Sequence, residues 1–153
     1  MLPLSYRFKG GFLMEKLITI LNKEVANFGI LYTKLHNFHW FIKGDKFFEL
    51  HEKFEELYDE VTEHFDAVAE RILMLGDKPK ATLSEYLKLT TLKEATGSET
   101  TNEMVEAIIN DFTIVINELE AAIELSDKVT EDLLLGIQAS LEKHRWMLKT
   151  YLV

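Results

Sequence analysis

The 153-residue sequence contains no cysteine. This excludes disulfides, zinc–thiolate sites, iron–sulfur clusters and thiol nucleophiles, so any bound metal must be held by His, Asp or Glu. Two prolines and seven glycines are the only strong breakers, and the sequence shows no strand pattern, internal repeat or low-complexity tract. It also lacks an apolar run of the roughly 18 to 20 residues that a membrane-spanning helix requires.

Basic residues are scarce as well, since 17 Lys and Arg stand against 26 Asp and Glu, for a net charge of -9. This charge disfavours non-specific attraction to nucleic acid and anionic lipid, and it suits cationic partners, including metal ions. Residues 1–13 are interrupted by two basic residues and two glycines, so they do not form a secretory signal. We therefore expect a cytoplasmic protein with one domain over 14–153. Residues 1–13 are interpreted as an extension, disordered or foreign to the natural chain, with Met14 as a plausible start.

Between the glycine clusters, apolar residues recur at a helical spacing of about 3.6 residues. The pattern predicts long helices over about 14–42 and 46–75, a short helix over 83–88, and two further helices opening at Thr100 and Thr130. The first apolar stripe consists of Leu17, Leu21, Val25, Phe28, Tyr32, Leu35, Phe38 and Ile42. Two short connections and one of about 22 residues predict an all-α, ferritin-like four-helix bundle. Its long crossover, between helices two and three, carries the short helix.

The histidines and carboxylates are the candidate chemical groups. Ferritin-like di-iron proteins hold their metal inside the bundle with Glu-x-x-His pairs, and this sequence contains no such pair. The pattern therefore argues against an intrabundle di-iron centre of that type. Taken singly, His64 and His144 are interpreted as ordinary core or surface residues.

One flank of predicted helix two, about 130° from its apolar stripe, mixes chemical and apolar side chains. The ionisable side chains are His51, Glu55, Asp66 and Glu70, and the apolar ones are Phe48, Ala69 and Leu73. Such a mixture fits a subunit interface better than a surface facing water.

Distance decides how this flank can bind a metal. Fifteen helical residues place His51 roughly 22 Å from Asp66 in the same chain, so one metal cannot touch both. A second copy packed antiparallel about a two-fold axis near Tyr58 and Asp59 would bring His51 of one chain beside Asp66 of the other. A site that uses both residues is therefore shared between subunits and occurs twice per dimer.

Several of these residues form a specific combination within residues 35–73. It consists of His39-Trp40, His51 in a Leu-His-Glu sequence, and Asp66 followed by Glu70-Arg71. This combination closely resembles the Dps family, the DNA-binding proteins from starved cells and their mini-ferritin relatives. The resemblance extends over about 15–150 and includes Leu-Ser-Asp-Lys at 125–128 and Lys-His-Arg-Trp-Met at 143–147.

The resemblance implies a hollow dodecamer with ferroxidase centres at its two-fold interfaces. There, His39 and His51 of one subunit would meet Asp66 and Glu70 of the next, with Glu55 as an accessory ligand. The implied reaction is oxidation of Fe(II) by hydrogen peroxide or dioxygen, followed by storage of a ferric mineral, which protects against oxidative stress. Mixed imidazole and carboxylate ligands suit iron, although copper or zinc could occupy them too.

Two residues near this set are secondary candidates. Trp40 is expected to pack in a core or interface, and the matching Trp of relatives is thought to intercept oxidising equivalents near the iron. His36, three residues before His39, is a candidate partner of the metal ligands.

Asp127, Glu131 and Asp132 match the acidic pore through which family members admit iron at three-fold contacts. The alternative is an ordinary acidic helix N-terminus. Family members that bind DNA use a Lys-rich arm, whereas residues 1–14 contain only Arg7 and Lys9. We therefore expect a member that does not bind DNA. Nucleoid compaction and a scaffold without chemistry stay open as alternatives, and the intact ligand set weakens the scaffold.

Overall fold

The computed structural model describes the backbone of residues 4–153 and the side chains of residues 11–153. All regular structure in this part of the chain is helical. The helices are α1 (Leu4–Phe41), α2 (Phe47–Met74), α3 (Leu83–Leu89), α4 (Thr101–Glu124) and α5 (Lys128–Leu152). Among the described residues, none of these helices is long and apolar enough to cross a membrane.

The four long helices bury a common apolar core. α1 packs against α2 and α4 packs against α5, while α1 also contacts α4 and the short helix α3. Phe28, Phe38, Phe54 and Phe112, one or two from each of three helices, are fully buried at the centre. The predicted all-helical, ferritin-like bundle with a short helix in the crossover between the second and third long helices is confirmed.

Two predicted helix starts were wrong. α1 begins at Leu4 rather than near residue 14, because glycine in a helix costs only about 1 kcal/mol and does not by itself end one. Residues 1–3 of the predicted extension lie outside the described residues. α5 is capped by Asp127 rather than Thr130, and the Asp127 side chain accepts hydrogen bonds from the backbone amides of Val129 and Thr130. Asp127 was not considered as a cap from the sequence, although Asp is as good a capping residue as Thr.

One member of the predicted apolar stripe lies outside the core. Tyr32 is exposed, whereas its neighbour Leu31 is fully buried between Phe28 and Leu35 on the same helix face. The helical period permits either residue at that level of α1, and Tyr32 instead places its ring beside His36, with the centroids 4.4 Å apart.

The crossover rests directly on α1. Thr82 caps α3 by accepting a hydrogen bond from the Glu85 amide, as the capping signature predicted. The Tyr86 ring lies against Gly29, where an added Cβ would come within 3.0 Å of the ring. Gly29 therefore permits the close approach of the crossover to the bundle.

Candidate metal centre

His39 and His51 lie face to face where α1 ends and α2 begins. Their rings are stacked, with centroids 3.7 Å apart and planes inclined by 15°. The intervening turn places both helix ends side by side, and Gly44 supplies the positive φ of +100° that this turn needs. His39 is buried and His51 is half-buried.

Each of these histidines is held by the backbone of the other. His39 Nδ1 lies 2.6 Å from the carbonyl oxygen of His51, and His51 Nδ1 lies 2.8 Å from the carbonyl oxygen of His39. A carbonyl oxygen can only accept, so both Nδ1 atoms donate. The tautomer of each ring that carries no proton on Nε2 is therefore favoured, and this is the form that binds a metal. The sequence spacing gave no sign of this reciprocal arrangement.

The predicted acidic ligands lie further along α2. Asp66 and Glu70 are exposed, as is the accessory candidate Glu55, which receives a 3.4 Å hydrogen bond from the Tyr58 hydroxyl. In the described part of the chain, no three His, Asp or Glu side chains come together as a metal-binding group within one subunit. The structure thus pairs the two histidines and leaves the acids apart from them.

The α2 flank that carries these residues faces away from the chain's own core. Phe48 is 82% exposed and Leu73 is exposed as well, whereas Ala69 is half-buried. Large apolar side chains beside carboxylates on an open helix face are typical of a surface that another protein covers.

His36 and Trp40 belong to an aromatic cluster next to the histidine pair. The His36 ring stacks on Tyr58, with centroids 3.7 Å apart, and lies 5.4 Å from the Trp40 ring. Tyr58 also meets His39 edge-on at 5.3 Å. Trp40 is 68% exposed, so within a single subunit it is not a core residue.

The candidate pore residues surround the start of α5. Asp127 is the helix cap and lies 3.3 Å from Arg71 of α2. The hydrogen bond from the Thr130 hydroxyl, aided by backbone amides and by Arg71, holds the pKa of Asp127 below its usual value. Glu131 is half-buried and Asp132 is exposed. Asp127 thus has a clear local role in ending the loop, while Asp132 is accessible.

The two remaining histidines have contacts that are typical of a structural role. His144 is buried, lies 2.6 Å from Glu60 through Nε2, and accepts from Lys53 through Nδ1. His64 is half-buried against Phe28, and burial lowers its pKa, which favours the neutral ring.

A set of polar side chains that the bundle buries was not identified from the sequence. Glu24, Asn27 and Lys34 of α1, and Asp111 of α4, are all buried. The available signal was the position of Glu24 and Asn27 beside the predicted apolar stripe, where a polar side chain must find a partner inside the bundle.

Comparisons with known proteins agree with this architecture. A sequence model of the ferritin-like domain matches residues 18–153. The chain is 51% identical over 142 residues to DNA protection during starvation protein 2 of Bacillus anthracis, covering 90% of this chain and 97% of that one. The crystal structure of a Dps protein from Bacillus brevis is 47% identical, with a TM-score of 0.90 over 92% of this chain and 97% of the other. A Dps protein from Vibrio cholerae O1, described as a member of a broad superfamily of ferritin-like diiron-carboxylate proteins, is 34% identical with a TM-score of 0.89, covering 93% of this chain and 92% of that one.

Proposed function

Because the chain belongs to the Dps family of ferritin-like proteins, we propose that it is a ferroxidase that oxidises Fe(II) and stores the ferric product. The oxidant is hydrogen peroxide or dioxygen, and the store is the cavity of a hollow dodecamer in the cytoplasm. The relationship to ferritin-like diiron-carboxylate proteins supports iron binding in general. The observation that carries the specific proposal is the reciprocal pairing of His39 and His51.

The pairing supports metal binding because it prepares both ligands. Each Nδ1 proton is committed to a carbonyl, so the neutral form of each ring already has the tautomer that a metal requires. The two rings are stacked, with centroids 3.7 Å apart, so both ligands lie close to one place beside the α1–α2 turn. Two imidazoles leave several coordination positions open, which is the condition for an oxidant or further ligands to reach the iron.

The remaining ligands come, in this proposal, from the neighbouring molecule. Asp66 lies roughly 22 Å along α2 from His51, and the open α2 flank supports a two-fold contact centred near Tyr58 and Asp59. In that contact His39 and His51 of one subunit meet Asp66 and Glu70 of the partner subunit. Their carboxylates are exposed and able to offset the rise in charge from Fe(II) to Fe(III).

The reaction balances without another cofactor. Two Fe(II) ions each give up one electron, and one hydrogen peroxide molecule accepts both electrons and two protons to yield two water molecules. Removal of Fe(II) and peroxide together eliminates both reagents of hydroxyl-radical chemistry. Zinc, which cannot change its oxidation state, would inhibit by occupying the same ligands.

Protection of DNA through direct binding is the alternative. The name of the Bacillus anthracis relative refers to DNA protection, but the net charge of -9 on each copy of this chain opposes binding to a phosphate backbone. The charge therefore favours chemical protection through iron removal.

The direct test is anaerobic loading with Fe(II), addition of peroxide or air, and measurement of ferric absorbance on the gel-filtered assembly. The expected result is rapid ferric formation that co-elutes with the protein. His51→Ala and Asp66→Ala should each abolish the fast phase, whereas Glu124→Gln, an exposed acid on α4, should leave it unchanged. Equal rates in all four proteins would contradict the proposed site.

A further inference from the structure

A buried polar network joins the crossover to the interior of the bundle, twelve residues before His39 on α1. Its centre is Asn27, which is fully buried together with Glu24 one turn earlier. The Asn27 amide nitrogen lies 3.3 Å from Glu24 Oε2 and 3.0 Å from Oε2 of Glu118 on α4. One amide thus serves two carboxyl groups on two helices.

The other side of the Asn27 amide holds the end of the crossover. Its carbonyl oxygen accepts from the Thr90 hydroxyl at 2.6 Å and from the Thr91 backbone amide at 3.0 Å. The Leu92 amide then donates to the Thr90 hydroxyl, which places the Leu92 side chain in the core. Residues 90–92 are therefore attached to α1 largely through Asn27.

The surroundings of Glu24 do not suit a carboxylate. Its Oε1 has no hydrogen-bond partner among the described residues, and its Oε2 competes with Glu118 and Thr91 for the two N–H donors of the Asn27 amide. Burial raises the pKa of Glu24 well above 4.5, and the hydrogen bond and negative charge of Glu118 raise it further.

Nearby charged groups only partly counter the rise in the pKa of Glu24. Lys23 Nζ lies 3.7 Å from Glu118 Oε1, on the more accessible side of the pair. The next buried charges along α1 and α4, Lys34 and Asp111, neutralise each other at 2.8 Å. On α2, His64 faces Phe28 as a neutral ring. The crossover itself presents only the hydroxyl and amide groups of its two threonines to Asn27.

We propose that Glu24 and Glu118 form a proton-dependent latch: with one proton between them they hold residues 90–92 on the bundle through Asn27, and loss of that proton releases this segment. Two negative charges around one buried amide repel each other, and water must enter to solvate them. Opening at residues 90–92 admits that water to the Asn27 amide, because Thr90 is half-buried and Thr91 is exposed.

The direction of the pH dependence follows from linkage. Glu24 has a raised pKa in the folded chain, so its contribution to stability is complete below its unfolded value of about 4.5. That contribution is lost as the pH rises through the folded value. The latch is therefore closed at lower pH and opens as the solution becomes more alkaline.

The test is amide hydrogen exchange of the full chain in its native assembly across a range of pH, corrected for intrinsic exchange. Protection of the Thr91 and Leu92 amides should fall by up to tenfold per pH unit between about 4.5 and the raised pKa of Glu24, and it should level off above that pKa. In Glu24→Gln, which keeps the shape and cannot titrate, protection of both amides should not depend on pH. Glu106→Gln, an exposed acid on α4, should behave as the wild type.

Glu118→Gln provides a second variant if Glu24→Gln fails to fold. Removing the negative neighbour lowers the pKa of Glu24, so the loss of protection should level off at a lower pH and be smaller. Protection that is independent of pH in the wild type would overturn the latch. So would the wild-type pH dependence persisting in Glu24→Gln. None of these measurements involves iron, so their outcome is independent of the proposed ferroxidase activity.

Discussion

His39 and His51 fix each other's tautomer, because each donates its Nδ1 proton to the backbone carbonyl oxygen of the other at 2.6 to 2.8 Å. The two donors lie twelve residues apart, on either side of the turn between α1 and α2. Ring orientation and tautomer are therefore set by the fold before any metal binds, which is the condition for a prepared metal site.

The proposed sharing of the site predicts complementation between two inactive variants. His51→Ala keeps the acids and Asp66→Ala keeps the histidines, so each homo-oligomer has every site damaged. In a mixed dimer, one of its two sites combines intact histidines with intact acids. Random co-assembly should therefore restore roughly a quarter of wild-type sites, measured as fast ferric formation. Inactivity after verified mixing would show that the ligands belong to one chain.

Variants at the start of α5 can distinguish the proposed pore role from the role of capping the helix. Asp132 is exposed and has no capping role, so Asp132→Asn should slow iron uptake and leave the melting temperature unchanged. Asp127→Ala removes the cap and the contact with Arg71, and it should lower the melting temperature. Asp127→Asn, which retains a capping side chain, should keep most of that stability. Unchanged iron uptake in a double variant, Asp127→Asn with Asp132→Asn, would point to another entrance.

Acid should weaken the same helix start. The pKa of Asp127 lies below its usual value of 3.8, chiefly through the Thr130 hydroxyl. Its stabilising contribution is therefore present above about 3.8 and is lost as the pH falls through the lower folded value. In the wild type, hydrogen exchange of the Val129 and Thr130 amides should increase in that acidic pH range. Asp127→Asn should show no such transition, and an identical transition in that variant would assign it to another group.

The acidic charge predicts no stable complex with DNA near neutral pH. A dodecamer would multiply the charge of -9 on each chain, and long-range repulsion should dominate at physiological salt. Mobility-shift assays should therefore show only free DNA, even at the protein concentrations at which Fe(II) oxidation is measured. Stable complexes at physiological salt would mean that Arg7 and Lys9, whose side chains lie outside the described residues, outweigh the net charge.

The bundle core should be intolerant of cavities. Phe112 of α4 is fully buried among the long helices, so Phe112→Ala should reduce the free energy of unfolding by about 3 to 5 kcal/mol. Leu135→Ala, on the exposed face of α5, is the matched control and should change it by much less in a dissociated subunit. Denaturant unfolding measures both, and similar losses would contradict the assigned core.

The sequence by itself determined the helices, their order and the candidate ligands, because these depend on local periodicity and on residue type. The stripe through Phe28, Leu35 and Phe38 identified the buried face of α1, and the fifteen-residue spacing of His51 and Asp66 excluded a single metal between them in one chain. Helix ends were less well determined, since Thr and Asp are both good capping residues and the structure places Asp127, not Thr130, at the start of α5.

Only the tertiary structure determined the features that require two separate segments of the chain to be in contact. His39 stacks on His51, and the side chain of each donates a hydrogen bond to the backbone carbonyl of the other; both contacts require the geometry of the turn that joins α1 to α2. The network around Asn27 brings together Glu24 and Glu118, residues 94 positions apart in the sequence. Hydrogen bonds and buried charges act over a few ångströms, so their partners are fixed by how helices pack, which no local pattern in the sequence encodes.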